Sequence, residues 1–198
     1  MLVLTTGLLL FLVIHLVPTQ PDLRAGIVAR FGPGAYKSIF AIVSFVGLAL
    51  IAIGYGKLQG TPGKNPEIWT PPYALRHVSL LLMLPAMILL VAAYVPSRIR
   101  DRVRHPMLLA VKLWAVAHLL ANGDLASMLL FGALLAYAVF DLISVKRRGA
   151  LGPLGAAKGT AGGDIAAVVG GIALYAVLLV WAHKWLIGVA PIVTRFSS

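Results

Sequence analysis

Residues 104–124 read RHPMLLAVKLWAVAHLLANGD, an apolar run of membrane-helix character interrupted by His105, Lys112, His118, Asn122 and Asp124. An unpaired imidazole, ammonium or carboxylate in hydrocarbon costs free energy, so each of these residues needs a partner, an interface or a purpose. The rest of the chain supplies the setting. Of 198 residues, 60% are apolar and 12% charged, and the mean hydropathy is +0.94, outside the range of a soluble domain. The expected fold is all-α, a polytopic membrane helix bundle forming a single domain over 1–198. That length holds roughly five to seven helices of ~20 residues with short connections.

Apolar runs place six membrane spans near residues 2–18, 37–56, 75–95, 106–121, 125–144 and 165–189. The first run lacks a basic leader and a small-residue cleavage site before Pro18 and Pro21, so it reads as a retained helix. In a soluble protein a formal charge of +11 would suggest nucleic acid, but here its placement reports topology, and no nucleic-acid partner is expected. Arg24, Arg30, Lys37, Arg98, Arg100, Arg102, Arg104, Lys146, Arg147, Arg148 and Lys158 fall in the odd-numbered connections. Lys57, Lys64, Arg76, Lys184 and Arg195 fall on the other side, a bias of eleven to five. The odd connections are therefore expected in the cytoplasm and both termini outside it. The basic runs at 98–104 and 146–148 can also hold anionic lipid headgroups.

Segment 57–73, rich in Gly and Pro, reads as an external loop with Trp69 and Tyr73 near the interface, and 145–164 as a flexible cytoplasmic linker. No phosphate-binding glycine motif is present. Gly162, Ala166 and Gly170, and beside them Gly163, Ala167 and Gly171, form small-residue rows suited to close helix packing. Asp141 reads as an interfacial acid near Arg147 and Arg148, and Asn122 and Asp124 as a turn and helix cap.

The histidines carry the chemistry. The chain has no cysteine, which removes thiolate ligands and disulfides, so a metal or cofactor must be held by its five His, or by Met, Tyr or carboxylate. His15 and His118 each interrupt an apolar helix, where an interhelical hydrogen bond and a shared metal centre are the two readings. His77 and His183 stand beside Arg76 and Lys184 and read as interfacial, and His105, before Pro106, as a helix-start residue. At 100° per residue, Val111, Trp114, Ala115, Ala121 and Asn122 cluster around His118, offering an aromatic, a small gap and a polar group to a flat cofactor. Leu8, Phe11 and Leu12 surround His15 in the same way. No second carboxylate accompanies the pair, which argues against a zinc hydrolase or di-iron site.

Arg104-His105-Pro106 is followed by Trp114, ten residues from its start, and by Ala117-His118. With the whole chain, and above all 104–132, this pattern resembles the NnrU family of bacterial integral membrane proteins. It is similar also to the related cis-zeta-carotene isomerase of plants and cyanobacteria, a haem b membrane enzyme. That enzyme has in addition a His late in an apolar helix followed by Leu-Arg, matched by His15 and Leu23-Arg24. The resemblance implies a bacterial inner-membrane protein that binds haem b, with His15 and His118 as axial ligands to the iron and Trp114, Ala115, Phe11 and Asn122 around them. His77 and His105 are the alternative ligands. The isomerase carries Cys where this chain has Ala115, so thiolate chemistry at the iron is excluded.

The family further implies a link to respiratory nitrite and nitric oxide metabolism, by sensing, electron transfer or isomerase-like chemistry. A respiratory reductase or a hydrophobic small molecule would be the partner. Two other functions stay open: a haem-dependent cis-to-trans isomerase of a carotenoid-like polyene, and a haem-free assembly or transport protein. Depth along the helices complicates the ligand pair. If helix one ends at Pro18, His15 lies ~5 Å from the cytoplasmic end and His118 ~20 Å from it, which would pair His118 with His77 or His183. A helix one that continues through a kink at Pro18 to about Arg24 reduces the offset to ~6 Å. The expectation is therefore an extended helix one, with His15 and His118, and not His183, needed for low-spin haem.

Overall fold

A computed structural model describes residues 1–192; Arg195 and the end of the chain at Ser198, both used in the topology expectation, lie outside the described residues. The protein is 78% helical. Among the described residues there is no strand, only two isolated bridges. In chain order the helices are α1 (Leu2–Leu16), α2 (Pro21–Gln59), α3 (Tyr73–Ala92), α4 (Arg98–Val103), α5 (Pro106–Ala121), α6 (Leu125–Arg148), α7 (Ala161–Val177) and α8 (His183–Ile187). A 3₁₀ turn, Val17–Thr19, follows α1, and a π-helical turn, Leu178–Ala182, joins α7 to α8. Five segments are long and apolar enough to cross a membrane, and α5, at 16 residues, is a shorter sixth. Leu9, Val13, Phe45, Leu81, Ile165 and Val180 stay exposed on them, as lipid-facing side chains must.

The chain divides into two compact units. The first comprises Met1–Pro71 and Asn122–Arg148. Here α1 runs antiparallel to the second half of α2, and glycines set their approach. A Cβ at Gly7 would stand 2.6 Å from the Ile51 nitrogen and one at Gly54 2.5 Å from the Leu4 nitrogen, so neither position admits a side chain without movement. Two departures from the expected spans occur in this unit. Helix one is not extended to Arg24: the 3₁₀ turn closes at Thr19, Gln20 is extended (φ −114°, ψ 91°), and Pro21 opens a new helix whose first turn contains Arg24. Proline fixes φ for a first helical position and disfavours helix in the residue before it, so two prolines three apart end one helix and begin another.

The second departure is helical structure over 21–31, where only a connection was expected. It is separated from 33–59 by Gly32 at φ 83°, ψ 158°, a conformation open to glycine and imposed just before Pro33. Leu23, Ile27 and Phe31 lie every fourth residue along this piece and Asp22, Arg24 and Arg30 elsewhere, a pattern suited to a membrane interface.

The third helix of this unit, α6, begins at a polar hub. Asp124 accepts hydrogen bonds from Gln59 Nε2 (3.1 Å), Asn65 Nδ2 (2.7 Å), the Ser127 backbone N–H (2.9 Å) and Ser127 Oγ (2.7 Å). It is thus the helix cap that its Asn-Gly-Asp context suggested. The 57–71 loop is ordered against it: Ile68 donates to the Gly123 carbonyl (2.7 Å) and Leu125 to that of Pro66 (2.9 Å). At the other end Asp141 pairs with Arg148 (3.6 Å), the expected interfacial acid.

The second unit comprises Pro72–Ala121 and the chain from Gly149 onward. Its centre is α3, which packs against both α5 and α7. The Gly163–Ala167–Gly171 row does the close packing: Gly163 lies against the Pro96 carbonyl, Gly171 against the Ile88 backbone, and Ala167 is fully buried. The parallel row is close only at Gly170, where a Cβ would stand 3.2 Å from Val91 Cγ1; one on Gly162 would meet only Thr160 Oγ1, at 4.0 Å. The 145–164 segment departs from a free linker at both ends. Residues 145–148 continue α6, and 157–164 is bonded to 96–101. Gly159 donates to Asp101 Oδ2 (2.7 Å), Thr160 to the Pro96 carbonyl (3.0 Å), Ile99 to Asp164 Oδ1 (3.0 Å) and Arg100 to the Ala157 carbonyl. Thr160 also caps α7 through the Gly163 N–H (3.0 Å), which explains its start at 161.

Candidate functional site: the helix-borne histidines

His15 stands four residues before the end of the 3₁₀ turn, in the first unit, and is the single histidine there. Its ring lies on that of Phe11 (centroids 4.0 Å, 26° between planes), with Phe40 at 4.9 Å and Tyr137 edge-on at 5.9 Å. Its Nδ1 is 2.6 Å from the Phe11 carbonyl, and Tyr137 Oη donates to its own carbonyl (3.2 Å). A carbonyl oxygen can only accept, so Nδ1 carries the hydrogen and the lone pair resides on Nε2. Phe11 is therefore beside His15 as expected, while Phe40 and Tyr137, from helices distant in sequence, had no signal in local periodicity.

The other four histidines belong to the second unit. His118 is half-buried on α5, and its Nδ1 donates to the Trp114 carbonyl (2.8 Å), one turn back, with the Trp114 ring at 5.0 Å. Ala115, expected to leave a small gap, is fully buried in the packing of this unit. Asn122 opens the turn before α6 and falls in the first unit. His105 begins α5 as expected, its carbonyl accepting from Leu109 (3.2 Å) after Arg104 turns at φ 65°. His77 is exposed in the first turns of α3, edge-on to Tyr73 at 5.2 Å.

His183 comes beside His118, one of the two pairings that the depth of a short helix one allowed. Its ring lies 6.4 Å from that of His118, with 21° between planes, and its Nδ1 donates to the Val189 carbonyl (2.7 Å). Two imidazoles from separate helices thus share one tautomer, each with its lone pair on Nε2. Backbone carbonyls on Nδ1–H are the usual outer partners of metal-bound histidine, fixing ring orientation and raising donor strength. Among the described residues no group of three or more His, Cys, Asp or Glu forms a metal cage. The donor set, imidazoles without an accompanying carboxylate or thiolate, fits a haem, which asks the protein for only one or two ligands, better than a bare ion.

Fold and site together define a polytopic helical membrane protein with ligand-type histidines inside its apolar segments. The sequence pattern of the NnrU protein family matches residues 3–191, and the chain belongs to that family. No curated protein and no solved structure matches it.

Proposed function

We infer that this NnrU-family protein is an integral membrane haem b protein of the bacterial inner membrane that supports respiratory nitrogen-oxide metabolism by electron transfer. The observation that carries the reading is His118, an imidazole placed in an apolar helix with Nδ1–H held by the Trp114 carbonyl and the lone pair therefore on Nε2. Holding an imidazole in this orientation inside hydrocarbon costs free energy that a metal bond at Nε2 would offset. When bound, haem supplies one-electron transfer at a potential set by its axial ligands and surroundings. His118 would hold the iron, with its ring fixed by the Trp114 carbonyl and water kept away by the apolar helices.

Were two imidazoles to hold the group, electron transfer would ask neither to dissociate, whereas alkene isomerisation or nitric oxide binding would require one to leave. The nitrogen-oxide setting comes from the family. Both termini are assigned to the external side by the bias of basic residues.

The test is the absorption spectrum of the protein purified from membranes. A strong Soret band with sharp reduced α and β bands is expected. A colourless protein after haem supplementation would leave a haem-free membrane protein, its histidines serving only in hydrogen bonds.

A further inference from the structure

Resting on the haem reading above, we propose that the second axial ligand is His183, so that the haem iron is held by His118 and His183 inside the second unit. Spacing is the first ground. Two imidazoles on opposite sides of one metal, each bonded at about 2 Å, have ring centroids about 6 Å apart. The His118 and His183 centroids are 6.4 Å apart and the two ring planes lie 21° from parallel. Tautomer is the second ground, since both rings donate Nδ1–H to a backbone carbonyl and so carry their lone pair on Nε2, the atom that would bond the iron.

The third ground is how the chain delivers His183. The π-helical turn Leu178–Ala182 ends at the residue before it, and a π turn shifts the register of everything that follows. Five residues later Gly188 adopts φ 82° and ends α8, bringing the Val189 carbonyl back to His183 Nδ1. The irregular helical turn on one side and the left-handed glycine that ends the helix on the other together set where this imidazole lies. Trp181 and Trp185, stacked at 5.7 Å and exposed, flank it as interfacial aromatics do, which would place the haem near one membrane face.

Competing ligands are less well placed. His77 faces Tyr73 from an exposed position, and His105 stands at the start of α5 whereas His118 is near its end. His15 has aromatic neighbours and no second histidine in its unit, and the helix extension on which its pairing with His118 depended is not formed.

The experiment compares full-length wild type, His183→Ala, His183→Met and His15→Ala in detergent, by absorption and by electron paramagnetic resonance of the oxidised state. His183→Ala should lose the low-spin signal and become high-spin, and added imidazole should restore it, a rescue that a merely structural role would not show. His183→Met should stay low-spin with a raised reduction potential, while His15→Ala should keep the wild-type spectrum. A haem-loaded His183→Ala that remains low-spin while His15→Ala turns high-spin overturns the assignment of His183 and leaves the haem reading intact. A His183→Ala protein that loses haem and is not rescued by imidazole, with His183→Met equally empty, also overturns it. A colourless wild type removes the haem reading itself and the ligand pair with it.

Discussion

A carboxylate at the start of a membrane helix persists only if its lone pairs are filled. Burial pushes the Asp124 carboxyl up, but hydrogen bonds from Ser127, Asn65 and Gln59 together outweigh it and hold the group below its usual range. The stability this contributes is present above the ordinary carboxylate value of ~3.9 and is lost as pH falls through the lower folded value, so it is constant across neutral pH. Asp124→Ala should cost about 2–4 kcal/mol, from the lost cap and the unpaired donors. Asp124→Asn should cost less, because one oxygen remains to accept and the new amide can donate to Ser127 Oγ once that hydroxyl turns. Thermal unfolding in detergent at neutral pH measures both. Equal melting temperatures for wild type and Asp124→Ala would show that water replaces the hub.

Elements in this protein are joined by backbone approach more than by large side chains. Gly54→Ala would drive a methyl into the Leu4 backbone and should destabilise the α1–α2 pair by about 1–3 kcal/mol. Gly56→Ala, with nothing within 4 Å of its Cβ, should be neutral or stabilising because alanine favours helix. Opposite signs two residues apart, read by chemical unfolding, separate packing from propensity. At α4, the Arg100 guanidinium beside Asp101, and then the Gly159 N–H, hold the Asp101 carboxyl below its usual range. Asp101→Ala should free the segment ending in Gly159, raising tryptic cleavage after Lys158 several-fold with the spans intact. Cleavage unchanged from wild type would mean that the Thr160 and Ile99 bonds suffice.

For the molecule as a whole, topology is the property most open to test. A reporter inserted within 149–160 should be cytoplasmic and one fused after Ser198 external, because the basic split runs over short loops, where that bias acts most strongly. A cytoplasmic C-terminal reporter would mean an odd number of crossings. The segment at fault would then be α5, whose 16 residues reach only ~24 Å against a hydrocarbon core of ~30 Å.

Hydrophobic runs and their punctuation determined much of this protein without any coordinates. Helix α5 spans 106–121 as read, because Pro106 and the Asn-Gly-Asp turn bound it, and α6 begins at 125 as read, behind its Asp124 cap. The family was legible too, since Arg104-His105-Pro106, Trp114 and His118 lie in one local stretch. What tertiary structure decided is what depends on residues far apart in the chain. The 21–31 helix hides in a segment too polar to be a span, and the kink at Gly32 becomes decisive only when the chain must turn there. Small residues at 7, 47 and 54 matter because two backbones meet over them, and Phe40 and Tyr137 reach His15 only through the packing of three helices. His183 looked interfacial because Lys184 follows it. A π turn and the left-handed Gly188, neither readable from periodicity, set its ring beside His118. Local hydrophobic pattern fixes which segments enter lipid, whereas side-chain partners on different helices depend on register and rotation, which only packing settles.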